Sequence, residues 1–477
     1  MDPDQFQQMQ FGGGVGQTIL NPAVLLLVLL AGAIICTSNR GRAAVAFLVG
    51  AILIPTDQVL VLGPLHFPML RLLALFGLIR ILWAKFASKE DIFSGGMNGI
   101  DKAMVALTVF SALDGILLWR ESGEVIYQLG NAYTAFGVYF LLRFLIRDQE
   151  DVRRVIRVLV VVTVVVALIM ICEQVTGKNP LYAGLGGARA SITGNVMERD
   201  DHFRATGSFA HPILAGTFGG IMLPIFVGLW WKKEPGDRKY ALAGILSALV
   251  LPFAASSSTA LFGFMGGLLG LCFWPLRRLM RPIRWAILIV LVSLHLVMKA
   301  PVWHLISRVD LSGGSSSYHR FQLINQCILH FWDWMLVGTK DYGNWGWDMW
   351  DLSNQYVGIA DTVGLIPLLS FLAIIVLGFR YLGNARKVAD ASVDKKQELF
   401  LWAFGASLFA NVVAFFGIGY FDQTIVAWYA ILSMICATTA LAKNTQPASQ
   451  ESPALLKPEL DLGSHLQSAP LRSHRSA

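Results

Sequence analysis

Two arginines stand in polar stretches of a chain that is otherwise strongly apolar: Arg204 in DDHFRATGSFAHP (Asp200–Pro212) and Arg320 in SSSYHRFQLINQ (Ser315–Gln326). A guanidinium is a planar fork of donors that stays charged at any relevant pH, which suits it to the oxygens of a phosphate or pyrophosphate. The plainer reading is an arginine that snorkels to a membrane surface and anchors the adjoining span. The neighbours of Arg204 favour an anion: Gly207 permits close approach of backbone to a ligand, and His211 leads into Pro212, a residue suited to the first turn of a helix. The positive end of that helix would face the same anion. Downstream of Arg320, five tryptophans (Trp332, Trp334, Trp345, Trp347, Trp350) alternate with Asp333, Asp341, Asp348 and Asp351. Ring faces pack on sugar C–H groups and carboxylates accept from sugar hydroxyls, so Trp347 and Trp350 are candidates for a glycan platform. An interfacial aromatic belt has the same composition.

The elements that must position these residues are membrane helices. The 477-residue chain is 55% hydrophobic and 14% charged, with a mean hydropathy of +0.57, outside the range of soluble globular proteins. Runs of about 20 apolar residues cross ~30 Å of hydrocarbon, and roughly thirteen can be placed. They lie near 19–36, 43–63, 65–84, 102–118, 125–145, 155–172, 211–230, 240–256, 259–275, 285–300, 355–378, 399–418 and 424–442. Pro55, Asp57 and Pro64 interrupt the second and third, which could instead be one span and a re-entrant segment. The expected fold is an all-α polytopic membrane protein, a bundle of about 12–13 transmembrane helices over residues 1–442. Residues 443–477, rich in Ser, Pro and Leu, read as a disordered cytoplasmic tail. The acidic N-terminus (Asp2, Asp4) lacks the basic region of a cleavable signal peptide, so the first helix is expected to remain as an anchor.

Lys and Arg concentrate in cytoplasmic loops. Of the 38, 28 fall in one alternate set of loops and the tail, nine in the other set, and Arg71 within a span. This orients the N-terminus outside and the C-terminus inside, leaving two long external loops, about 173–210 and 301–354, which carry Arg204 and Arg320. Loops of that size in a compact bundle are more often functional than connective. The pI of 9.1 then reflects basic loops beside anionic lipid, with nothing to suggest nucleic acid. No phosphate-cradling glycine loop, repeat or metal-type Cys/His spacing occurs. Cys327 is the one cysteine outside the spans, so no disulfide forms within a loop.

RATGSFAHP before a span, HRFQLINQCILHFWDWMLVGTKDYG, and SNQYVGIADTVGLIPLLSF leading into the next span together resemble the bacterial O-antigen ligase and O-antigen polymerase superfamily of membrane glycosyltransferases. The resemblance runs from Arg71 to about Gly378. It implies an enzyme of the bacterial cytoplasmic (inner) membrane that works on the external face without a metal or other cofactor. Such an enzyme takes a glycan from a polyprenyl-pyrophosphate-linked oligosaccharide and passes it to a hydroxyl of a glycan or lipid acceptor. By this resemblance Arg204 and Arg320 hold the pyrophosphate, while Asn354 and Tyr356 match the family's motif at the start of a span. Membrane lipid, and a polysaccharide-assembly complex, are the further partners it implies.

One position departs from the family pattern. Ligases of this type have histidine before the asparagine, and here it is Ser353, a poor general base at neutral pH. His319, His330, Asp348 and Asp351 are the nearby substitutes, with His319 and Asp351 retained as catalytic candidates beside the arginines. Arg71, an arginine within a span, either lines a polar cavity as a substrate-binding residue or snorkels. Fixed arginines can stabilise a departing pyrophosphate where other enzymes use a divalent ion, and Glu198–Asp201 (ERDD) is the alternative should a metal be needed. A lipid-linked glycan flippase, and a non-catalytic component of a polysaccharide-export complex, are the rival readings; few central charges and no internal repeat count against the first.

Overall fold

The computed structural model describes residues 18–55, 58–63, 65–87, 89, 92–93, 95–186, 197–199, 202–308 and 316–444. About 78% of these are helical. In chain order the elements are α1 Pro22–Thr37, α2 Arg40–Leu53, the hairpin β1 Val59–Leu62 and β2 Leu65–Pro68, α3 Met69–Phe86, α4 Gly99–Trp119, α5 Ser122–Leu145, α6 Gln149–Thr176 and α7 Pro180–Leu185. A second hairpin, β3 Met197–Arg199 and β4 His202–Arg204, precedes α8 Pro212–Lys232, α9 Asp237–Ala254, α10 Ser258–Cys272 and α11 Met280–Val297. Then follow α12 Ser316–Leu329, α13 Phe331–Trp334, α14 Gln355–Val363, α15 Leu365–Ala391, α16 Lys395–Ala414 and α17 Gln423–Asn444.

Every apolar run picked out in the sequence contains helix, and among the described residues seven helices are long and apolar enough to cross a membrane. These are Gly99–Trp119, Gln149–Thr176, Pro212–Lys232, Trp274–Val297 (the 3₁₀ turn Trp274–Leu279 running into α11), Leu365–Ala391, Lys395–Ala414 and Gln423–Ala440; α1 and α10 are apolar but shorter. The run expected over 43–63 is not continuous. Its helix ends at Leu53, and an antiparallel hairpin with register Val59↔Pro68 follows. Pro55 cannot donate to a helical ladder, which is why the helix stops there. The run expected over 355–378 is broken too, at Gly364.

Two helices are buried almost all round and form the centre. The membrane-length windows of α8 and α17 are 83% and 89% buried, as expected for helices apolar on every side. Around them Phe209, Phe218, Phe226, Phe400, Phe404 and Phe415 fill the core. Close packing against α10 depends on Gly220, where a Cβ would stand 2.7 Å from the Phe264 nitrogen. Small residues of this kind let helix backbones approach where lipid supplies no hydrophobic drive.

The two ends of the bundle differ in chemistry. One end is cross-linked by ion pairs between helices: Arg143 with Asp101, Arg153 and Arg157 with Asp237, and Arg277 and Arg386 with Glu398. The other end is tied largely by hydrogen bonds to backbone, as where Gln58 donates to the Leu185 carbonyl at 2.8 Å and accepts from the Asn21 N–H. Here a second apolar cluster (Leu323, Cys327, Trp334, Met349, Val357, Ala360) fixes α12 and α13 onto α14. Burial pushes the Cys327 thiol well above its usual range. Thr339 N–H donates to the Asp361 carbonyl at 2.8 Å, and Leu365 N–H to that of Met335 at 3.0 Å. At this crossing Gly364 has φ +89°, and a Cβ would lie 2.8 Å from the Leu336 oxygen. The segment that carries Arg320 is therefore packed structure, and the expected long loop is in large part helical.

Candidate functional site

Arg204 ends β4, paired across the hairpin with Met197. The strand is clamped from below: Gln174 Nε2 donates to the carbonyls of both Phe203 and Ala254 at 2.7 Å, and Ala205 N–H donates to that of Ala254 at 3.1 Å. Ser256 Oγ adds a bond to the Phe203 carbonyl at 3.2 Å. A few residues along the same corner, Ser258 and Thr259 open α10 and accept from the Nη2 of Arg320, at 3.3 and 2.7 Å. The corner Ala254–Thr259 thus carries the backbone beside Arg204 and the guanidinium of Arg320, although the two arginines come from segments far apart in the chain.

Arg320 is only 6% exposed and lies over the Phe262 ring with its guanidinium carbon 5.5 Å from the centroid. Its charge sits at the first two residues of a 15-residue helix, the end where the helix dipole is itself positive. A guanidinium held at that end of a helix is suited to an anion.

The loop after Arg204 is organised by a residue that the sequence reading passed over. Glu173, fully buried near the end of α6, accepts from the backbone N–H of Thr206 at 2.6 Å and of Gly207 at 3.0 Å. Thr206 Oγ1 bonds its other oxygen at 3.1 Å, and Asn179 Nδ2 donates to that same oxygen and to the Gly207 carbonyl. Gly207 has φ +62°, a conformation that glycine adopts without strain, and a Cβ there would meet Val166 at 2.8 Å. Gly207 is thus buried by its fold and held by Glu173. The available signal was a lone acid at the close of a long apolar run. Glu173→Gln sets an amide N–H₂ or a neutral oxygen against donors that need a carboxylate, at a cost of about 1–3 kcal/mol. The expected result is a lower thermal midpoint with the fold intact, and a thermal scan of the variant measures it; an unchanged midpoint would remove Glu173 as organiser of the loop.

The remaining sequence candidates fall into separate groups. His211 caps α8, its Nδ1 accepting from the Ile213 N–H at 3.2 Å, which leaves the proton of a neutral ring on Nε2. His319 is buried beside Arg320 in sequence, and its Nε2 lies 3.0 Å from the Asp348 carbonyl. A carbonyl only accepts, so Nε2 carries hydrogen and Nδ1 is the nitrogen open to act as a base. Asp351 is exposed as a residue, yet its carboxyl is raised from the ordinary range, chiefly by local burial, with Asp348 adding and His319 opposing. Trp347 and Trp350 are 67% and 58% exposed.

Asn354 and Tyr356 are occupied by the fold. Asn354 is completely buried as the cap of α14, accepting from Tyr356 N–H and Val357 N–H at 3.0 and 3.1 Å and donating to the Phe416 carbonyl at 3.4 Å. Tyr356 donates to the Val412 carbonyl at 3.1 Å and packs its ring against Phe371, Phe415 and Phe416. Their contacts position the span and leave α14 joined to the end of α16. Arg71 belongs to another region, donating to Thr134 Oγ1, the His66 carbonyl and Asn131 Oδ1 at 3.1, 2.8 and 3.4 Å. These partners are all neutral, and among the described residues none comes from the Arg204 or Arg320 segments.

Among the described residues no group of three or more His, Cys, Asp or Glu is arranged to hold a metal ion. Asp200, Asp201 and the side chain of Glu198 lie outside the described residues. No protein-family model matches the chain, and no curated protein is significantly similar to it.

Proposed function

We propose that the protein is a glycosyltransferase of the O-antigen ligase or polymerase type, acting at the external face of the bacterial cytoplasmic membrane on a polyprenyl-pyrophosphate-linked oligosaccharide. The reading rests on the resemblance of RATGSFAHP, HRFQLINQ and SNQYVG to that superfamily. The observation that carries it is the placement of Arg320, buried at the positive end of α10 and joined through Ala254–Thr259 to the strand that ends in Arg204. In the reaction an acceptor hydroxyl oxygen attacks the anomeric carbon, the bond from that carbon to the pyrophosphate oxygen breaks, and the carrier pyrophosphate leaves with the electron pair. Negative charge grows on the leaving group, and preorganised donors aimed at it lower the barrier most. The acceptor proton passes to a base, for which His319 Nδ1 and the raised carboxyl of Asp351 are the candidates.

The test is incubation of purified protein with a defined polyprenyl-pyrophosphate oligosaccharide, with and without a chelator. Longer or transferred glycan, formed equally in both, is expected. Turnover lost in chelator and restored by magnesium or manganese would move the chemistry to Glu198, Asp200 and Asp201. Absence of any product, together with carrier translocation in vesicles, would replace the transferase by the flippase.

A further inference from the structure

At the ion-paired end of the bundle, the start of α2 and the first two turns of α6 form an open cavity of about 390 Å³ lined by Asn39, Arg40, Gly41, Arg42, Val45, Asp151 and Arg154. The three arginines differ in how their charge is met. Arg154 donates to Asp151 Oδ1 at 3.0 Å and to Glu150 Oε1 at 2.9 Å. Asp151 Oδ2 is taken by the Arg147 N–H at 3.3 Å, so both oxygens of the one lining carboxylate are engaged. Arg40 Nη1 is shielded from solvent and has no hydrogen-bond acceptor among the described residues. A shielded, charged N–H without an acceptor is costly, and the Asp151 carboxylate faces Arg40 through space without a hydrogen bond to that nitrogen.

Backbone adds to this field. The cavity lies at the N-terminus of the 14-residue α2, capped by the Asn39 side chain on the Arg42 N–H at 2.9 Å, where the helix dipole favours an anion. Gly41 lets the Arg154 guanidinium lie against that first turn, since a Cβ there would stand 2.3 Å from Nη1. Three arginines and a helix N-terminus therefore line one cavity, against a single lining carboxylate whose two oxygens already accept from Arg154 and from the Arg147 N–H. Its position beside the first residues of two apolar helices puts it at the depth of lipid headgroups, where basic pockets between transmembrane helices recognise anionic headgroups.

We infer that this pocket binds a phosphate group, in the membrane the phosphodiester of an anionic phospholipid headgroup, with Arg40 and Arg42 as the principal donors. The inference is independent of the glycosyltransferase reading and concerns the opposite end of the molecule.

The test uses the full chain in nanodiscs of phosphatidylcholine with or without phosphatidylglycerol, and in parallel with inorganic phosphate, read by thermal midpoint and by lipid retained in native mass spectrometry. Phosphatidylglycerol is expected to be retained and to raise the midpoint where phosphatidylcholine does not. The double variant Arg40→Gln/Arg42→Gln should weaken retention about tenfold or more, the loss expected for one or more charge-assisted hydrogen bonds. Arg278→Gln, at the same end but with its side chain 78% exposed, should leave it unchanged. Equal retention of the two lipids by the unaltered protein, a comparison that needs no variant to fold, overturns the inference, as does undiminished retention in a folded double variant. A full midpoint shift from inorganic phosphate alone overturns the lipid assignment and gives the pocket to a soluble phosphate compound.

Discussion

Arg320→Ala is expected to lower glycan transfer per folded molecule by about 10²–10³, the loss seen when one preorganised donor to a developing oxyanion is removed. The expectation follows from geometry: the guanidinium is buried against Ser258 and Thr259 at the positive end of α10, so an anion drawn there meets fixed charge that water screens poorly. Arg204→Ala is expected to act in the same direction. Lysine at either position should restore only part of the rate, because an ammonium keeps the charge and loses the bidentate fork. An interfacial anchor behaves differently, with lysine substituting almost fully and alanine lowering membrane yield more than specific activity. Transfer assays on both alanine and both lysine variants, normalised to folded protein, separate the two. Near-normal specific activity in the alanine variants would dissolve the clamp and return Arg204 and Arg320 to structure.

The largest loss of stability is expected far from that site, at Asp101. Its carboxylate is fully buried and accepts from Arg143 Nε and Nη2 at 2.8 and 3.0 Å, from Tyr139 Oη at 2.6 Å, and from the Asn98 N–H at 2.9 Å as part of the cap of α4. Arg143 is itself 1% exposed. Asp101→Ala leaves a buried guanidinium without its counter-charge, which costs about 3–5 kcal/mol, and folded yield and thermal midpoint should fall accordingly. The paired replacement Asp101→Leu/Arg143→Met should recover much of the loss, short of the helix cap and of the acceptor for the Tyr139 hydroxyl, because two well-packed apolar residues need no counter-charge. A single variant as stable as the unaltered protein would show that water or lipid headgroups reach Arg143.

Residues adjacent in the chain determined what the sequence could tell. A run such as Val158–Ile171 is helical and apolar whatever surrounds it, since its own backbone must satisfy itself in hydrocarbon, and α6 forms over it. The start of α8 was likewise written locally, in His211 followed by Pro212. Pro55 marked the failure of the second span in the same way, though not the hairpin that replaces it. The position of the site depended on partners that local pattern does not encode. Glu173 gains its role from Thr206 and Gly207, and Arg320 from Ser258 and Thr259, more than sixty residues away. Asn354 and Tyr356 stood out as motif residues, yet only packing against Val412 and Phe416 showed that their polar groups are used by the fold. Periodicity reports which residues leave water; which buried donor meets which acceptor is decided when the helices pack, because that choice depends on distances between segments that the chain order does not fix.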